Sequence, residues 1–187
     1  MSTAKARTSA DAVARAARVR LAVFDVDGVF TDVRLTFDEQ GVEAKTFHVR
    51  DGLGVKLLMQ AGVEVAVLSA RRSPVVERRM DELGVRHVRQ GAGRKLAVFE
   101  ALLAELQLGA GESAYIGDDL IDIPVLARVG FAAAVADADP RVLARAHWCT
   151  HAPGGAGAVR EFCEYILESQ GRLDEIIAAH TGSGGPP

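Results

Sequence analysis

The chain has 187 residues, of which 49% are hydrophobic and 25% are charged. This composition is typical of a globular protein, and the length suits one domain with a sizeable core. The net charge is −3 without a long run of one sign, so neither a nucleic-acid footprint nor a polybasic membrane patch is present. No apolar stretch reaches the roughly 18 residues that a membrane-spanning helix needs.

The two ends of the chain and its cysteines indicate no targeting or metal-binding function. Residues 1–19 form an N-terminal extension that lacks the apolar segment of a secretory signal, and a short helix capped by Ser9 is expected there. Cys149 and Cys163 form no CxxC pair, which favours idle thiols in a reducing compartment. We therefore expect a cytoplasmic protein, with a single domain at residues 20–180 and a disordered tail at residues 181–187.

Predicted strands and helices alternate along the chain. In chain order, we predict a strand at residues 20–25, a hairpin at 33–37 and 43–49, a helix at 52–60, a strand at 63–68, a helix at 74–83, a strand at 85–88, a helix at 94–106, a strand at 113–116, a helix at 120–128, a strand at 132–135, a helix at 140–146, a strand at 148–150 and a helix at 156–168. Continuous apolar strands that alternate with helices indicate an α/β fold with a doubly wound parallel sheet. Ligands of such sheets bind outside the carboxyl ends of the strands.

The hairpin at residues 33–49 interrupts this alternation. Its two partly apolar strands flank Asp38-Glu39-Gln40-Gly41, a turn-forming group. The insertion is too small to be a cap domain, and we expect it to leave the sheet at an exposed edge. Because unpaired apolar strands tend to find partners, the hairpin is predicted to form a subunit interface.

Polar residues with complementary chemistry follow the predicted strands. Asp25 and Asp27 lie at the end of the strand predicted at residues 20–25. Ser69 follows the strand at 63–68, and Asp118 follows the strand at 113–116. Lys95 lies at the start of the helix predicted at 94–106. Converging carboxylates need a cation, and oxygen ligands without His or Cys favour Mg²⁺. A phosphate held by Ser69 and Lys95 would complete the charge balance. This combination predicts phosphoryl transfer, in which Asp25 attacks phosphorus and Asp27 acts as general acid and base.

Four motifs at these positions resemble those of haloacid-dehalogenase-like (HAD) phosphatases: FDVDGVFTD at 24–32, LSAR with Ser69, Lys95, and IGDDLID at 116–122. The stretches HVRDG at 48–52, QGAGRK at 90–95, AVADADP at 134–140 and GGAGAVRE at 154–161 are similar to the 3-deoxy-D-manno-octulosonate 8-phosphate phosphatase family. The resemblance covers about residues 20–177. It implies a HAD-like Rossmannoid fold with no large cap, and Mg²⁺-dependent hydrolysis of this sugar-acid phosphate through an aspartyl-phosphate. It also implies a homotetramer formed through the hairpin and a place in lipopolysaccharide precursor synthesis.

The resemblance implies a role for each matching residue. Asp25 would be the nucleophile and a metal ligand, Asp27 the acid/base that gives its backbone carbonyl to the metal, and Asp118 the third ligand. Ser69 and Lys95 would hold the phosphate. Two further acidic residues would support the site, namely Asp119 and Asp122. Besides Asp27 and Lys95, the residues implied to contact substrate are His48, Val49, Arg50, Asp51, Gly52, Lys56, Arg71, Arg79 and Arg160, the last in its own or a neighbouring subunit's site.

The sequence departs from the family pattern at three places. Ser69-Ala70-Arg71 replaces the usual Thr-Gly-Arg, and the serine keeps the hydroxyl. His48 stands where asparagine is usual, and Lys56 stands where arginine is usual. A lysine does not reproduce the planar bidentate contact of an arginine, so these positions bear on substrate identity.

Two alternative interpretations remain open at this point. A phosphatase for another nonulosonic acid 9-phosphate would use the same scaffold, although HVRDG and GGAGAVRE favour the octulosonate. A receiver-type signalling domain also combines a parallel sheet, clustered acids, Mg²⁺, a hydroxyl and a lysine. Its phosphoacceptor aspartate ends a later, central strand, whereas the strand predicted at residues 63–68 ends in Ser69.

Overall fold

A six-stranded parallel sheet lies at the centre of residues 9–182, the part of the chain that this computed structural model describes. In spatial order, the strands are β5 (His87–Arg89), β4 (Glu64–Leu68), β1 (Leu21–Phe24), β6 (Ser113–Gly117), β7 (Phe131–Ala134) and β8 (Trp148–Cys149). All neighbouring pairs are parallel, which confirms the predicted doubly wound sheet. The chain adds β4 and β5 on one side of β1 and β6 on the other, so a crevice forms where β1 and β6 end.

Helices flank the sheet. Within residues 9–182 they are α1 (Ala10–Ala16), α2 (Val49–Gln60), α3 (Pro74–Leu83), α4 (Lys95–Leu106), α5 (Ile123–Leu126), α6 (Pro140–Leu143), α7 (Ala158–Ser169) and α8 (Leu173–Thr181), with 3₁₀ turns at Ala110–Glu112 and Leu120–Asp122. None of the helices in this range is long and apolar enough to cross a membrane.

Local signals account for the helix boundaries that were predicted correctly. The Ser9 hydroxyl accepts a hydrogen bond from the backbone N–H of Ala12 at 3.1 Å, as expected for a residue that caps α1. Helix α3 has the predicted bounds, with Pro74 at its first position and Gly84 after its end. Gly84 has φ 81°, a left-handed conformation that glycine adopts without strain.

Aromatic packing joins the sheet to α7. The ring of Phe162 lies 5.4 Å from that of Phe24, 6.0 Å from that of Phe131 and 6.5 Å from that of Trp148. All four side chains are buried. Each buried aromatic ring contributes on the order of 2 kcal/mol, so this contact anchors the strand that precedes Asp25.

Several elements differ from their predicted extents. Helix α2 begins at Val49, three residues earlier than predicted. The helix predicted at residues 120–128 begins instead as a 3₁₀ turn, because the side chains of Asp119 and Asp122 take the backbone N–H groups there. Helix α8 was not predicted, and it includes Thr181, the first residue of the predicted disordered tail, with Gly182 as its cap. Residues 183–187 lie outside the described residues.

The hairpin is shorter than predicted and forms a separate sheet. Its strands, β2 (Thr36–Phe37) and β3 (Glu43–Ala44), pair antiparallel. The turn lies where expected, since Oδ1 of Asp38 accepts from the N–H groups of Gln40 at 2.9 Å and Val42 at 2.8 Å. The expectation that the hairpin leaves the main sheet at an exposed edge is wrong. It follows β1, an interior strand, and therefore begins beside the crevice.

Candidate active site

Five side chains meet at the carboxyl ends of β1 and β6, and we call them the sheet cluster: Asp25, Lys95, Tyr115, Asp118 and Asp122. Nζ of Lys95 lies 2.7 Å from Oδ2 of Asp25 and 2.7 Å from Oδ1 of Asp122. The Tyr115 hydroxyl donates to Oδ1 of Asp122 at 2.6 Å. Asp25 follows β1, Lys95 begins α4 and Asp118 follows β6. The fold thus brings together motif residues that are distant in sequence.

Asp122 holds the cluster in place. Its Oδ1 accepts from Lys95 and Tyr115, and its Oδ2 accepts from the backbone N–H groups of Asp118 at 3.0 Å and Asp119 at 3.2 Å. A side chain on Gly117 would collide with this carboxylate. Both oxygens of Asp122 are therefore engaged, which makes it a support for Lys95 and for the loop after β6.

The sheet cluster contains more negative than positive charge, because three carboxylates face one ammonium. Burial, together with the negative charge of Asp122, raises the pKa of Asp25 to about 7 despite the opposing charge of Lys95. Burial, followed by the charge of Asp25, raises the pKa of Asp118 to about 8. Burial alone would lower the pKa of Lys95, but Asp25 and Asp122 outweigh it, so that this pKa is raised.

The geometry of the sheet cluster fits a divalent cation. Carboxylate oxygens of Asp25, Asp118 and Asp122 all lie within 4.8 Å of one another. Oδ1 of Asp118 is buried and makes no hydrogen bond within residues 9–182. A side chain on Gly28, which has φ 91°, would collide with the Asp118 carboxylate, so the glycine permits this approach. A buried carboxylate without a partner is costly, and a hard cation held by Asp25 and Asp118 would remove that cost.

Asp27 differs from the other acidic residues of the site. Its carboxylate is absent from the group that lies within 4.8 Å, which consists of Asp25, Asp118 and Asp122. The carboxylate instead contacts Nζ of Lys45 on the hairpin. The backbone carbonyl of Asp27 accepts no hydrogen bond from residues 9–182, and it is therefore available to a metal ion.

A second group of charges surrounds Asp27, and we call it the hairpin cluster: Asp27, Glu43, Lys45 and Arg71. Nζ of Lys45 lies 3.4 Å from Oε1 of Glu43. An Arg71 guanidinium nitrogen donates to the same Glu43 oxygen at 2.9 Å, and Nε of Arg71 lies 3.9 Å from Oδ2 of Asp27. Two carboxylates and two cations alternate around this cluster, so its charge is balanced.

A cleft of about 130 Å³ lies between the two clusters. The residues that line it are Asp25, Asp27, Val33, Ser69, Ala70, Arg71, Asp118, Asp119 and Ile121. Ser69 follows β4 and is buried, and its hydroxyl accepts from the N–H of Arg71 at 3.2 Å. Six of the predicted site residues therefore share one cleft, with Lys95 bonded to Asp25 at its edge.

Other predicted substrate contacts lie at the junction of α2 and α7 and do not line this cleft. Asp51 is buried, and its Oδ1 accepts from the N–H of Arg160 at 2.9 Å. The Arg160 guanidinium pairs with Glu164 on its own helix at 2.6 Å. Nδ1 of His48 lies 4.0 Å from Oδ1 of Asp51. Of these contacts, the bond from Arg160 to Asp51 joins the two helices, while the other two lie within one helix or at its start.

The remaining predicted contacts are also outside the cleft lining. The Arg79 guanidinium lies 6.0 Å from the ring centre of Phe47, and a side chain on Gly52 would collide with it. The other three side chains are exposed, namely Val49, Arg50 and Lys56. Their roles in substrate binding stay predictions.

Three residues of the two clusters were not predicted from the sequence, namely Glu43, Lys45 and Tyr115. Glu43 and Lys45 are two residues apart, a spacing that places both on one face of a strand, and two charges on one face of a short insertion were a usable signal. Tyr115 lies within an apolar strand, where a buried hydroxyl needs a partner. That partner, Asp122, became apparent only in the folded chain.

Comparison with known proteins gives concordant matches. The model of the haloacid dehalogenase-like hydrolase family matches residues 87–161. The 3-deoxy-D-manno-octulosonate 8-phosphate phosphatase KdsC of Yersinia pestis is 47% identical over 164 residues, which cover 88% of each chain. A crystal structure of the Yersinia pestis phosphatase superposes with a TM-score of 0.88 at 46% identity, covering 89% of this chain and 90% of that one. The structure of the Moraxella catarrhalis phosphatase, in complex with magnesium ion, phosphate ion and KDO, gives a TM-score of 0.90 at 36% identity. The match covers 92% of this chain and 99% of that one.

Proposed function

The chain belongs to the family of 3-deoxy-D-manno-octulosonate 8-phosphate phosphatases, and we propose from this premise that it hydrolyses the phosphomonoester of that sugar acid. The observation that carries the proposal is the sheet cluster, in which a buried lysine and an excess of carboxylates adjoin a cleft with a hydroxyl and an arginine. The related complex that contains magnesium, phosphate and KDO supports the same ligands for this chain.

In the first step, an oxygen of Asp25 attacks phosphorus while the bond from phosphorus to the sugar oxygen breaks. Asp27 acts as general acid and gives a proton to the departing sugar oxygen, since an alkoxide is a poor leaving group. Oδ2 of Asp25 pairs with Lys95, which leaves Oδ1 outside this ion pair. Lys95 and Ser69 hold the phosphoryl oxygens, and the lysine offsets charge that develops on them.

In the second step, water attacks the phosphorus of the aspartyl-phosphate and the bond to Asp25 breaks. The Asp27 carboxylate takes a proton from that water, which returns both residues to their starting states. Asp25, Asp118 and the backbone carbonyl of Asp27 would hold Mg²⁺, which would supply positive charge that offsets the negative charge of the phosphoryl group. Asp119 and Asp122 keep the loop after β6 in place.

The substrate carries a carboxylate in addition to its phosphate, so a second anion site is needed. Arg71 lines the cleft, and a guanidinium suits a carboxylate by bidentate pairing. We propose Arg71 for this contact. The exposed Arg50 and Lys56 are further candidates, together with Arg79 and Arg160, within an assembled oligomer.

We also propose a cytoplasmic homotetramer that acts in lipopolysaccharide precursor synthesis and assembles through the hairpin. The support is the exposed apolar surface of the hairpin, which includes Val33, Leu35, Phe37 and Val42. A group of exposed apolar side chains on a short insertion favours burial against another copy. Sedimentation of the wild type against Phe37→Asp tests this assembly. We expect the variant to dissociate, and an unchanged mass would contradict the hairpin interface.

The substrate proposal is tested by phosphate release from purified enzyme. We expect Mg²⁺-dependent turnover of 3-deoxy-D-manno-octulosonate 8-phosphate, with a lower kcat/KM for sialic-acid 9-phosphates and for hexose phosphates. A higher kcat/KM for a nine-carbon ester would refute the proposed substrate but leave the proposed phosphatase mechanism intact. Activity that survives EDTA would sink the metal-dependent mechanism.

A further inference from the structure

One lysine of the hairpin has an unusual environment. The hairpin exposes most of its apolar side chains, including Val33 and Phe37, yet the side chain of Lys45 is only 1% exposed. A buried ammonium is costly unless carboxylates compensate for it. Lys45, which directly follows β3, has two such partners, Asp27 of the loop after β1 and Glu43 of β3.

These contacts restrict the Asp27 carboxylate from both sides. Lys45 contacts its Oδ1, while Nε of Arg71 lies 3.9 Å from its Oδ2. Glu43 accepts from Arg71 at 2.9 Å and lies 3.4 Å from Nζ of Lys45, so it holds both cations. The carboxylate of Asp27 is thereby kept out of the group formed by Asp25, Asp118 and Asp122.

Proton transfer depends on this placement. An acid/base must lie within hydrogen-bond reach of the oxygen that it serves, and small displacements lower the rate steeply. Lys45 occupies Oδ1, which leaves Oδ2 as the oxygen that carries the transferred proton.

We propose that Lys45 is a positioning residue that fixes the Asp27 carboxylate for proton transfer, with Glu43 as its anchor. The inference rests on the proposed function, in which Asp27 protonates the departing sugar oxygen and then deprotonates the attacking water. The hairpin is then part of the catalytic apparatus as well as a surface for assembly.

The experiment compares Lys45→Met with Lys45→Arg on two substrates. The sugar-acid phosphate releases an alkoxide that needs a proton, whereas p-nitrophenyl phosphate releases a phenolate that does not. With the sugar-acid ester, we expect Lys45→Met to lower kcat about 10²-fold with KM changed less than about threefold. With p-nitrophenyl phosphate, the burst of nitrophenolate should keep its rate, and only the later turnover should slow. With the sugar-acid ester, Lys45→Arg should have a kcat about tenfold higher than that of Lys45→Met.

The matched control is Arg34→Met, which removes a positive charge from the same insertion where the side chain is 85% exposed. An equal loss of kcat in this control would overturn the proposal. A rise in KM without loss of kcat would also overturn it, because it would assign Lys45 to substrate binding. If Lys45→Met slowed the nitrophenolate burst as much as it slowed turnover of the sugar-acid ester, the proposal would also be overturned. The defect would then lie in the attack by Asp25.

The double variant Glu43→Gln/Lys45→Met guards against a fold defect, since it removes one charge of each sign from the hairpin cluster. It should show the same dependence on the leaving group, and equal losses on both substrates would contradict the proposal. Failure of the proposed function is recognised separately. A wild type inactive on the sugar-acid ester refutes that substrate, while any accepted alkyl phosphate still tests Lys45 against the nitrophenyl ester.

Discussion

The sheet cluster and the hairpin cluster both place carboxylates beside cations, but they differ in charge and origin. In the sheet cluster, three carboxylates face one ammonium, and every member lies on or directly after a strand of the main sheet, or on a helix or 3₁₀ turn beside it. In the hairpin cluster, two carboxylates face two cations, and half of the members come from the insertion. The first lacks positive charge that a metal ion would supply, whereas the second is balanced by its own residues. Their chemical roles follow from this difference.

Replacing Asp25 by asparagine should separate activity from stability most clearly. We expect kcat to fall about 10⁴-fold or more, because the nucleophile is lost. In EDTA, the free energy of unfolding should stay equal or rise by about 1 kcal/mol, since one crowded carboxylate is removed. Urea unfolding and phosphate release measure the two effects. Asp81→Asn, at an exposed position outside the cleft, is the control. A lower free energy of unfolding for Asp25→Asn than for the wild type would contradict the excess of negative charge in the sheet cluster.

Removing the only cation of the sheet cluster should have the opposite effect on stability. Lys95→Met leaves Asp25 and Asp122 buried without their shared partner, and breaking a buried ion pair costs about 3–5 kcal/mol. We also expect kcat to fall about 10²- to 10³-fold, because a charge opposite the phosphoryl group is lost. Urea unfolding at pH 8 checks the first effect. Stability within error of the wild type would show that Lys95 does not balance the cluster.

The metal-free protein should become less stable as pH rises from about 4 to about 8. The folded pKa values of Asp25, about 7, and Asp118, about 8, exceed the ordinary value of 3.8. The folded state therefore binds more protons than the unfolded state in this window, and stability falls as these protons leave. Mg²⁺ that binds the ionised carboxylates should then stabilise the protein more at pH 8.5 than at pH 5.5. Unfolding midpoints measured with EDTA and with Mg²⁺ at both pH values check this. The prediction would be refuted if Mg²⁺ raised the midpoint by the same amount at pH 5.5 and pH 8.5.

Among the three substitutions in the sheet cluster, Tyr115→Phe should have the smallest effect on activity. It removes a hydrogen bond of 2.6 Å to Asp122, and bonds to charged groups contribute about 1.5–3 kcal/mol. We expect this loss of stability and a decrease in kcat/KM of about tenfold, as Lys95 loses orientation. Tyr165→Phe is the matched control, since the Tyr165 hydroxyl is buried without a partner among the described residues. If both variants behave alike, the bond to Asp122 is unimportant.

The sheet cluster was largely predictable from sequence, and the hairpin cluster was not. Asp25 and Asp118 follow apolar strands, and parallel strands bring their carboxyl ends to one edge of the sheet. The direction of the Asp27 side chain depends on Lys45, which lies 18 residues away on the insertion. The spacing of Glu43 and Lys45 indicates a charged face, but nothing in the sequence shows that this face meets Asp27. Helix α8 was also missed, and Ile176 is its only buried residue, so little of the helix packs against the core.

The alternation of Glu43, Ala44 and Lys45 also limits how the length of the insertion can change during evolution. Side chains of a strand alternate between its faces, so a shift of one residue would present Ala44 and Thr46 to Asp27 in place of the two charged side chains. Insertions or deletions of a single residue between the hairpin turn and α2 should therefore be selected against. Changes of two residues would keep the register. The length of this segment among related sequences is then a record of the constraint that proton transfer places on the insertion.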